Sequence, residues 1–157
     1  MVKPVRSGVV AGAEGSRREF EPLSRAVIGA CIDVQRVMGL HCMEVDYQRA
    51  LEVALPRAGV GFEREVEIPI VYGGVAVSTR RADFGIWDGN DELLLETKAR
   101  SAILPEDAEQ CLLYLHQSNH RLCLLVNFGQ RPLGIKRLVH TLGRVEPAGG
   151  LQSPTPR

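Results

Sequence analysis

The residues best suited to chemistry lie near the two ends of one segment, RRADFGIWDGNDELLLETKAR, at positions 80–100. Asp83 lies at the end of one apolar run, and Glu96 and Lys98 lie at the end of the next. The turn-forming residues DGND between the runs predict a hairpin, which would bring these ends side by side. Residues 96 and 98 are two apart and point to the same face of a strand. Two carboxylates and an ammonium group on one patch are suited to holding a hard divalent cation and activating water.

The same three side chains also have a simpler interpretation. Opposite charges that face each other across two strands form an ordinary salt bridge on a solvated face, which adds little stability. As isolated charges, Asp83, Glu96 and Lys98 favour this interpretation. The choice therefore depends on the rest of the sequence.

Length and charge indicate one folded domain without an overall attraction to nucleic acid. The chain has 157 residues, of which 45% are hydrophobic, and its 19 basic and 19 acidic residues balance. Contact with nucleic acid would therefore need a local basic patch. Arg80, Arg81 and Arg100 supply one around the candidate site, and Lys136 and Arg137 supply another near the end of the fold.

The cysteines and the lack of long apolar runs indicate a cytoplasmic protein. No run is long enough to cross a membrane, and the N-terminal residues lack the apolar stretch of a signal peptide. Cys31, Cys42, Cys111 and Cys123 form no C-x-x-C pair. We expect them to be reduced, small core residues.

Hydrophobic periodicity and turn residues predict the elements that position the site. Apolar residues at three- and four-residue spacing predict helices over 22–38, 42–57 and 105–117. Apolar runs separated by glycine-containing turns predict strands over 65–72, 75–87, 92–99 and 121–129. The segment 133–142 is either a short strand or a helix.

The order α-α-β-β-β-α-β predicts an α/β or α+β domain with one mixed central sheet flanked by helices. Pro69 predicts an edge or a bulge for the first strand, and the run LLLE predicts a central third strand that is covered on both faces. We expect the domain to occupy residues 21–144, with a flexible arm over 1–20 and a disordered tail over 145–157.

Two further candidates have alternative interpretations. His116 and His120 have i, i+4 spacing and could bind a metal if one helix held both, but Asn119 indicates that the helix ends before His120. Trp87 could stack on a base, or it could cover the end of the sheet, which is the simpler interpretation.

Seven short motifs follow one another over about residues 22–140: IGACIDVQRVMG, MEVDYQRAL, FEREVEIPIVYGGV, RADFGI, LLLETKA, EQCLLYL and LLVNFG. Together with the predicted element order, they resemble the PD-(D/E)xK nuclease superfamily and, within it, the small bacterial group named for a GxxExxxR motif. Two positions depart from that motif, since His41 replaces its glycine and Gln48 replaces its arginine.

The resemblance implies a restriction-endonuclease-like core and a metal site. Asp83 and Glu96 would bind Mg²⁺ or Mn²⁺, and Glu44 would enter from a helix to bind through water or complete a second site. Lys98 would orient or help to deprotonate the attacking water. As an alternative, Glu44 is an ordinary acid on a helix surface.

Gln110 and Tyr114 resemble the QxxxY motif that accompanies this core in related exonuclease-type members. They lie one helical turn apart, so both could face the site and position Lys98 or a nucleotide phosphate. They could equally be the edge of an amphipathic helix with a half-buried ring.

The resemblance thus implies a metal-dependent nuclease that hydrolyses phosphodiester bonds, with DNA as the expected partner. The alternative is an inactive nuclease-fold module that binds nucleic acid or a protein partner, because fold alone does not establish activity. The sequence also leaves open whether the protein forms a homodimer.

Overall fold

The computed structural model describes Lys3 and residues 21–140 of the chain. The domain boundary expected at residue 144, the tail over 145–157 and all of the expected arm except Lys3 lie outside the described residues. None of the described helices combines the length and the hydrophobicity needed to span a bilayer.

Within residues 21–140, three helices form where the apolar spacing predicts them: α1 (Glu21–Met38), α2 (Glu44–Arg57) and α3 (Pro105–Gln117). The α1 helix buries Leu23, Val27, Cys31 and Val34 on one face, and Gly39 follows it with a φ of 76°. Such a positive φ at the end of a helix favours glycine.

Acidic side chains cap the first turns of α2 and α3. The Asp46 carboxylate accepts the Met43 N–H at 2.8 Å, and the Asp107 carboxylate accepts the Leu104 N–H at 2.9 Å. Each bond satisfies a backbone donor that the helix itself leaves unpaired, and the negative charge complements the helix dipole. Pro105 occupies the first turn of α3, where a missing N–H costs nothing.

Five strands form one sheet in the order β1-β2-β3-β4-β5. Their bounds are β1 (Gly61–Tyr72), β2 (Val75–Trp87), β3 (Glu92–Lys98), β4 (Leu122–Asn127) and β5 (Gly134–Val139). Only β3 and β4, which α3 connects, are parallel, and the other neighbours are antiparallel. The α+β class and the single mixed sheet are confirmed.

Several details of the prediction are confirmed, and others are corrected. The strand with Pro69 is an edge strand, and β3 is central with residues 92–97 all buried. The ambiguous segment 133–142 contains a strand, β5. The first strand begins at Gly61 rather than at residue 65, because residues 61–64, far from the hairpin turn, pair with the end of β2.

Two apolar layers cover the sheet. Val27 of α1 and Leu51 of α2 pack on one face with Leu95, and Cys111 and Leu115 of α3 pack on the other. All of these side chains are fully buried. The central strand therefore lies between α1 and α2 on one side and α3 on the other.

At the level of Glu65 and Asp83, the side chains of β1 and β2 switch from one face of the sheet to the other. Phe84 packs under α1 and α2 but Ala82 packs under α3, although alternate residues of a regular strand share one face. In β1, Glu65 lies opposite Asp83 and has a φ of 53°, which is uncommon for a residue other than glycine. The paired register of β2 with β3 ends at Phe84–Leu95, so the two strands separate at Asp83.

Candidate active site

Because β2 separates from β3 at Asp83, the Asp83 side chain takes the place of a backbone hydrogen bond between the two strands. Its Oδ2 accepts the Thr97 backbone N–H at 2.8 Å and the Thr97 hydroxyl at 2.7 Å. The structure thus brings Asp83 to the Glu96-Thr97-Lys98 triplet. The contact is made by the Asp83 carboxylate, which accepts both Thr97 hydrogen bonds, and not by regular strand pairing.

Glu96 lies beside Asp83 on the face that α3 covers. The residue is only 3% exposed, and its buried Oε2 accepts no hydrogen bond from the described residues. Burial, together with the charge of Asp83 and a hydrogen bond with it, raises the pKa of the Glu96 carboxyl to about 9. A buried carboxylate oxygen without a donor is costly, and a bound cation would relieve that cost. The donor set of Asp83 and Glu96 therefore fits a hard divalent ion.

Lys98 lies on the same face as Glu96, as the two-residue spacing predicts. Its Nζ donates to Gln110 Oε1 at 3.2 Å and lies 3.9 Å from Asp107 Oδ1, with 12% of the side chain exposed. Asp107 also pairs with the Arg100 guanidinium at 3.2 Å. The salt bridge from Lys98 to Asp83 or Glu96, the alternative interpretation of these three side chains, is not formed, because the ammonium group points toward α3.

Glu44 is the first residue of α2 and faces the site from the other side. Burial raises the pKa of its carboxyl, with a smaller contribution from the Asp83 charge. Its Oε1 accepts the side-chain N–H of Gln48 at 3.3 Å. Among the described residues no three His, Cys, Asp or Glu side chains gather closely enough to hold an ion by themselves. Glu44 therefore lies near the Asp83–Glu96 pair but not close enough to form one ligand cluster with it.

The two residues of the QxxxY pattern have different surroundings. Gln110 contacts Lys98, as described above. Tyr114 is 1% exposed, and its hydroxyl donates to the Arg81 carbonyl at 3.1 Å. Burial raises the pKa of Tyr114, and the charge of Glu96 contributes. Its ring is fully buried rather than half-buried, and its hydroxyl supports the β2 backbone two residues before Asp83.

A cleft opens between α3 and the part of the β1–β2 hairpin that extends past Asp83. Its volume is about 520 Å³, and its lining combines two arginines and Gln110 with three acidic residues: Arg80, Arg100, Gln110, Glu106, Asp107 and Glu109. Gln110 also contacts Lys98, so the cleft adjoins the site. Arg81 does not line it and lies 3.7 Å from Glu65 and 3.8 Å from Glu67.

The remaining candidates have structural roles. His120 lies beyond the end of α3, and its Nε2 is 3.1 Å from Glu92 Oε1. A Cβ at Gly61 would lie 2.5 Å from Trp87 Nε1, so the indole covers the backbone at the end of the sheet. The four cysteines are free, and three of them are buried.

Three residues at the site have no role predicted from the sequence: Arg64, Thr97, and Gln48, which stands out only as a departure from the motif arginine. Gln48 Nε2 donates to Thr97 Oγ1 at 2.9 Å, and Arg64 donates to Gln48 Oε1 at 2.8 Å. One signal could have found Gln48, since it lies four residues after Glu44 and hence on the same face of the helix. Thr97 was considered only as the spacer between Glu96 and Lys98.

The chain segment that follows Lys98 is fixed by Asn127, which is fully buried. Its Oδ1 accepts the N–H groups of Arg100 at 3.0 Å and Gly129 at 3.2 Å. Its Nδ2 donates to the Arg100 carbonyl and to Gln130 Oε1, both at 2.8 Å. All four hydrogen-bonding positions of the amide are used.

We expect Asn127→Ala to lower the free energy of unfolding by about 2 kcal/mol, because the substitution leaves part-buried backbone groups of Arg100 and Gly129 without their partner. Urea unfolding would measure the change. The control is Asn90→Ala in the exposed β2–β3 turn, which should change stability by no more than about 0.5 kcal/mol. Equal effects of the two substitutions would contradict the role of Asn127.

The five-stranded mixed sheet with three helices is a restriction-endonuclease-like fold, with paired carboxylates where two of its strands separate. The family model of the PD-(D/E)XK nuclease superfamily matches residues 21–138, and the chain belongs to this superfamily. The match does not distinguish the GxxExxxR group within it. No curated protein and no solved structure gives a significant match.

Proposed function

We propose that this protein is a metal-dependent nuclease that hydrolyses the phosphodiester bonds of DNA with Mg²⁺ or Mn²⁺. The observation that carries the proposal is the buried Glu96 Oε2 without a hydrogen-bond donor beside the Asp83 carboxylate. Such a pair is expensive in a folded protein unless a cation compensates for the repulsion between the carboxylates. Membership of the nuclease superfamily supports the same chemistry.

Asp83 and Glu96 hold the metal, and Glu44 contributes through water from the end of α2. Thr97 donates two hydrogen bonds to Asp83 Oδ2, which leaves Oδ1 available for the ion. When bound, the ion supplies Lewis-acid polarisation of the phosphate and lowers the pKa of a bound water.

Lys98 supplies the positive charge on the substrate side of the carboxylates. Gln110 holds its ammonium group by a hydrogen bond, and Asp107 lies 3.9 Å away. From this position Lys98 orients the attacking water and offsets the negative charge that develops on the phosphate.

The cleft between the hairpin and α3 receives the nucleic acid backbone. Arg80 and Arg100 contact the phosphates of flanking nucleotides, and such contacts do not distinguish one base sequence from another. Glu106, Asp107 and Glu109 line the same cleft on the α3 side, so the phosphates approach on the side of the arginines. We also propose a reducing compartment, the cytoplasm, because the four cysteines are unbonded.

The test compares wild-type protein with the Asp83→Ala/Glu96→Ala double variant. Calorimetric titration with Mn²⁺ and Mg²⁺ should show binding by the wild type and none by the variant. Cleavage of linear and circular DNA on the same samples should disappear together with metal binding, because both depend on the same two carboxylates.

Melting temperatures in EDTA control for folding, because the double variant removes the repulsion between the two carboxyls but also removes the acceptor of the two Thr97 hydrogen bonds. A wild-type protein that binds neither metal would exclude the nuclease proposal. DNA binding without metal binding would instead favour an inactive nuclease-fold module.

A further inference from the structure

A row of hydrogen bonds joins β1, α2, β3 and β2 behind the two carboxylates. It comprises Arg64, Gln48, Thr97 and Asp83, and we refer to it as the Arg64–Asp83 network. The donor–acceptor distances are 2.8 Å from Arg64 Nη2 to Gln48 Oε1, 2.9 Å from Gln48 Nε2 to Thr97 Oγ1, and 2.7 Å from Thr97 Oγ1 to Asp83 Oδ2. Gln48 is 9% exposed and Thr97 is fully buried.

The chemistry of the two ends fixes the direction of every bond in this network. A guanidinium can only donate, so the Gln48 carbonyl oxygen faces Arg64 and its NH₂ group faces Thr97. Thr97 Oγ1 then accepts from Gln48, and its single hydroxyl proton is directed to Asp83. The second N–H of the Gln48 amide points to Glu44 Oε1 at 3.3 Å. One amide thus contacts Glu44 directly and Asp83 through Thr97.

The positive end of the network is itself held in place. Arg64 Nη1 pairs with Glu52 at 2.8 Å, and its Nε donates to the Asp83 carbonyl at 3.2 Å. The guanidinium carbon lies 4.5 Å from the centre of the Phe84 ring. Arg64 therefore fixes the backbone of Asp83 directly and its carboxylate through two intervening side chains.

From these contacts we infer that Gln48 and Thr97 are positioning residues that hold Glu44 and Asp83 in the arrangement that binds the metal. The inference rests on the proposed function, because it assumes that these carboxylates bind a cation. Hydrogen bonds that orient ligating carboxylates contribute to metal affinity, and their loss weakens binding by about 10–100-fold. Glu44 and Asp83 come from different elements, so a shared amide can fix their relative position.

The experiment measures Mn²⁺ affinity by calorimetry on the full chain. Thr97→Val keeps the shape of the side chain and removes the hydroxyl, whereas Thr97→Ser keeps the hydroxyl and removes a methyl group. We expect Thr97→Val and Gln48→Met to weaken Mn²⁺ binding by about 10–100-fold. Thr97→Ser should bind like the wild type, because the hydroxyl still donates to Asp83.

The matched control is Asp33→Asn, which alters the exposed Arg36 ion pair on α1, away from the network, and should retain wild-type affinity. A packing role for Thr97 predicts the reverse order, with Thr97→Ser more impaired than Thr97→Val. Melting temperatures in EDTA show which variants fold, and if Thr97→Val does not fold, Gln48→Met decides.

The possible failures are distinguishable. Wild-type affinity in Gln48→Met, or a larger defect in Thr97→Ser than in Thr97→Val, would overturn the positioning role and leave the nuclease proposal intact. No Mn²⁺ binding by the wild-type protein would overturn both.

Discussion

Lys98→Met should reduce the rate of DNA cleavage by about 10²–10³-fold, which is the typical cost of removing one preorganised charge or donor from a transition state. Methionine has a similar length and can occupy the same space without the ammonium group. Mn²⁺ affinity should change little, because Lys98 is not a ligand and points to Gln110 rather than to the carboxylates. Single-turnover cleavage and Mn²⁺ calorimetry would measure the two quantities separately.

A second Lys→Met substitution provides the matched control. Lys136 is exposed on β5, at the edge of the sheet opposite β1. Lys136→Met removes the same charge from the protein and should cleave at the wild-type rate, because the proposed cleft uses Arg80 and Arg100 and not the second basic patch of Lys136 and Arg137. The fold should tolerate Lys98→Met, because Asp107 keeps its 3.2 Å pair with Arg100. Wild-type cleavage by Lys98→Met at saturating Mn²⁺ would exclude a role for this lysine in the reaction.

The parts of the fold that depend on neighbouring residues could be predicted from the sequence. The glycine-containing turns at Gly73-Gly74 and Asp88-Gly89 and the apolar run of β3 act locally, so they gave the hairpins and the buried central strand. The spacing of Glu96 and Lys98 gave their shared face for the same reason, since side chains alternate along any strand.

The parts of the site that depend on distant residues could not be predicted. Glu65 and Asp83 lie where both strands change face. The alternation of apolar and polar residues does not show that Glu65, which is not a glycine, has a positive φ. Gln48 and Thr97 are 49 positions apart, and only the packing of α2 on the sheet brings them together. Gln48 stands where the motif has an arginine. In the structure a guanidinium still reaches this position, because Arg64 of β1 donates to the Gln48 side chain.

Without metal, we expect the wild-type protein to lose stability relative to Glu96→Gln as the pH rises from about 5 to about 9. Glu96 has a pKa of about 9 in the folded protein, against 4.5 for an ordinary glutamate. In this interval the folded state therefore binds more protons than the unfolded state, so the free energy of unfolding falls with rising pH. The largest slope for one proton is about 1.4 kcal/mol per pH unit. Urea unfolding of both proteins in EDTA would measure the difference.

Metal should reverse this dependence, because the ion binds only the ionised carboxylate and must displace its proton. Mn²⁺ affinity should therefore rise by up to about tenfold per pH unit below about pH 9 and level off above it. Calorimetry in two buffers with different ionisation enthalpies would count the proton released on binding. Glu96→Gln carries no proton to release and loses one ligand, so it should bind weakly and with little dependence on pH. If the wild type released no proton near neutral pH, Glu96 would already be ionised, and its buried Oε2 would need a donor other than the metal.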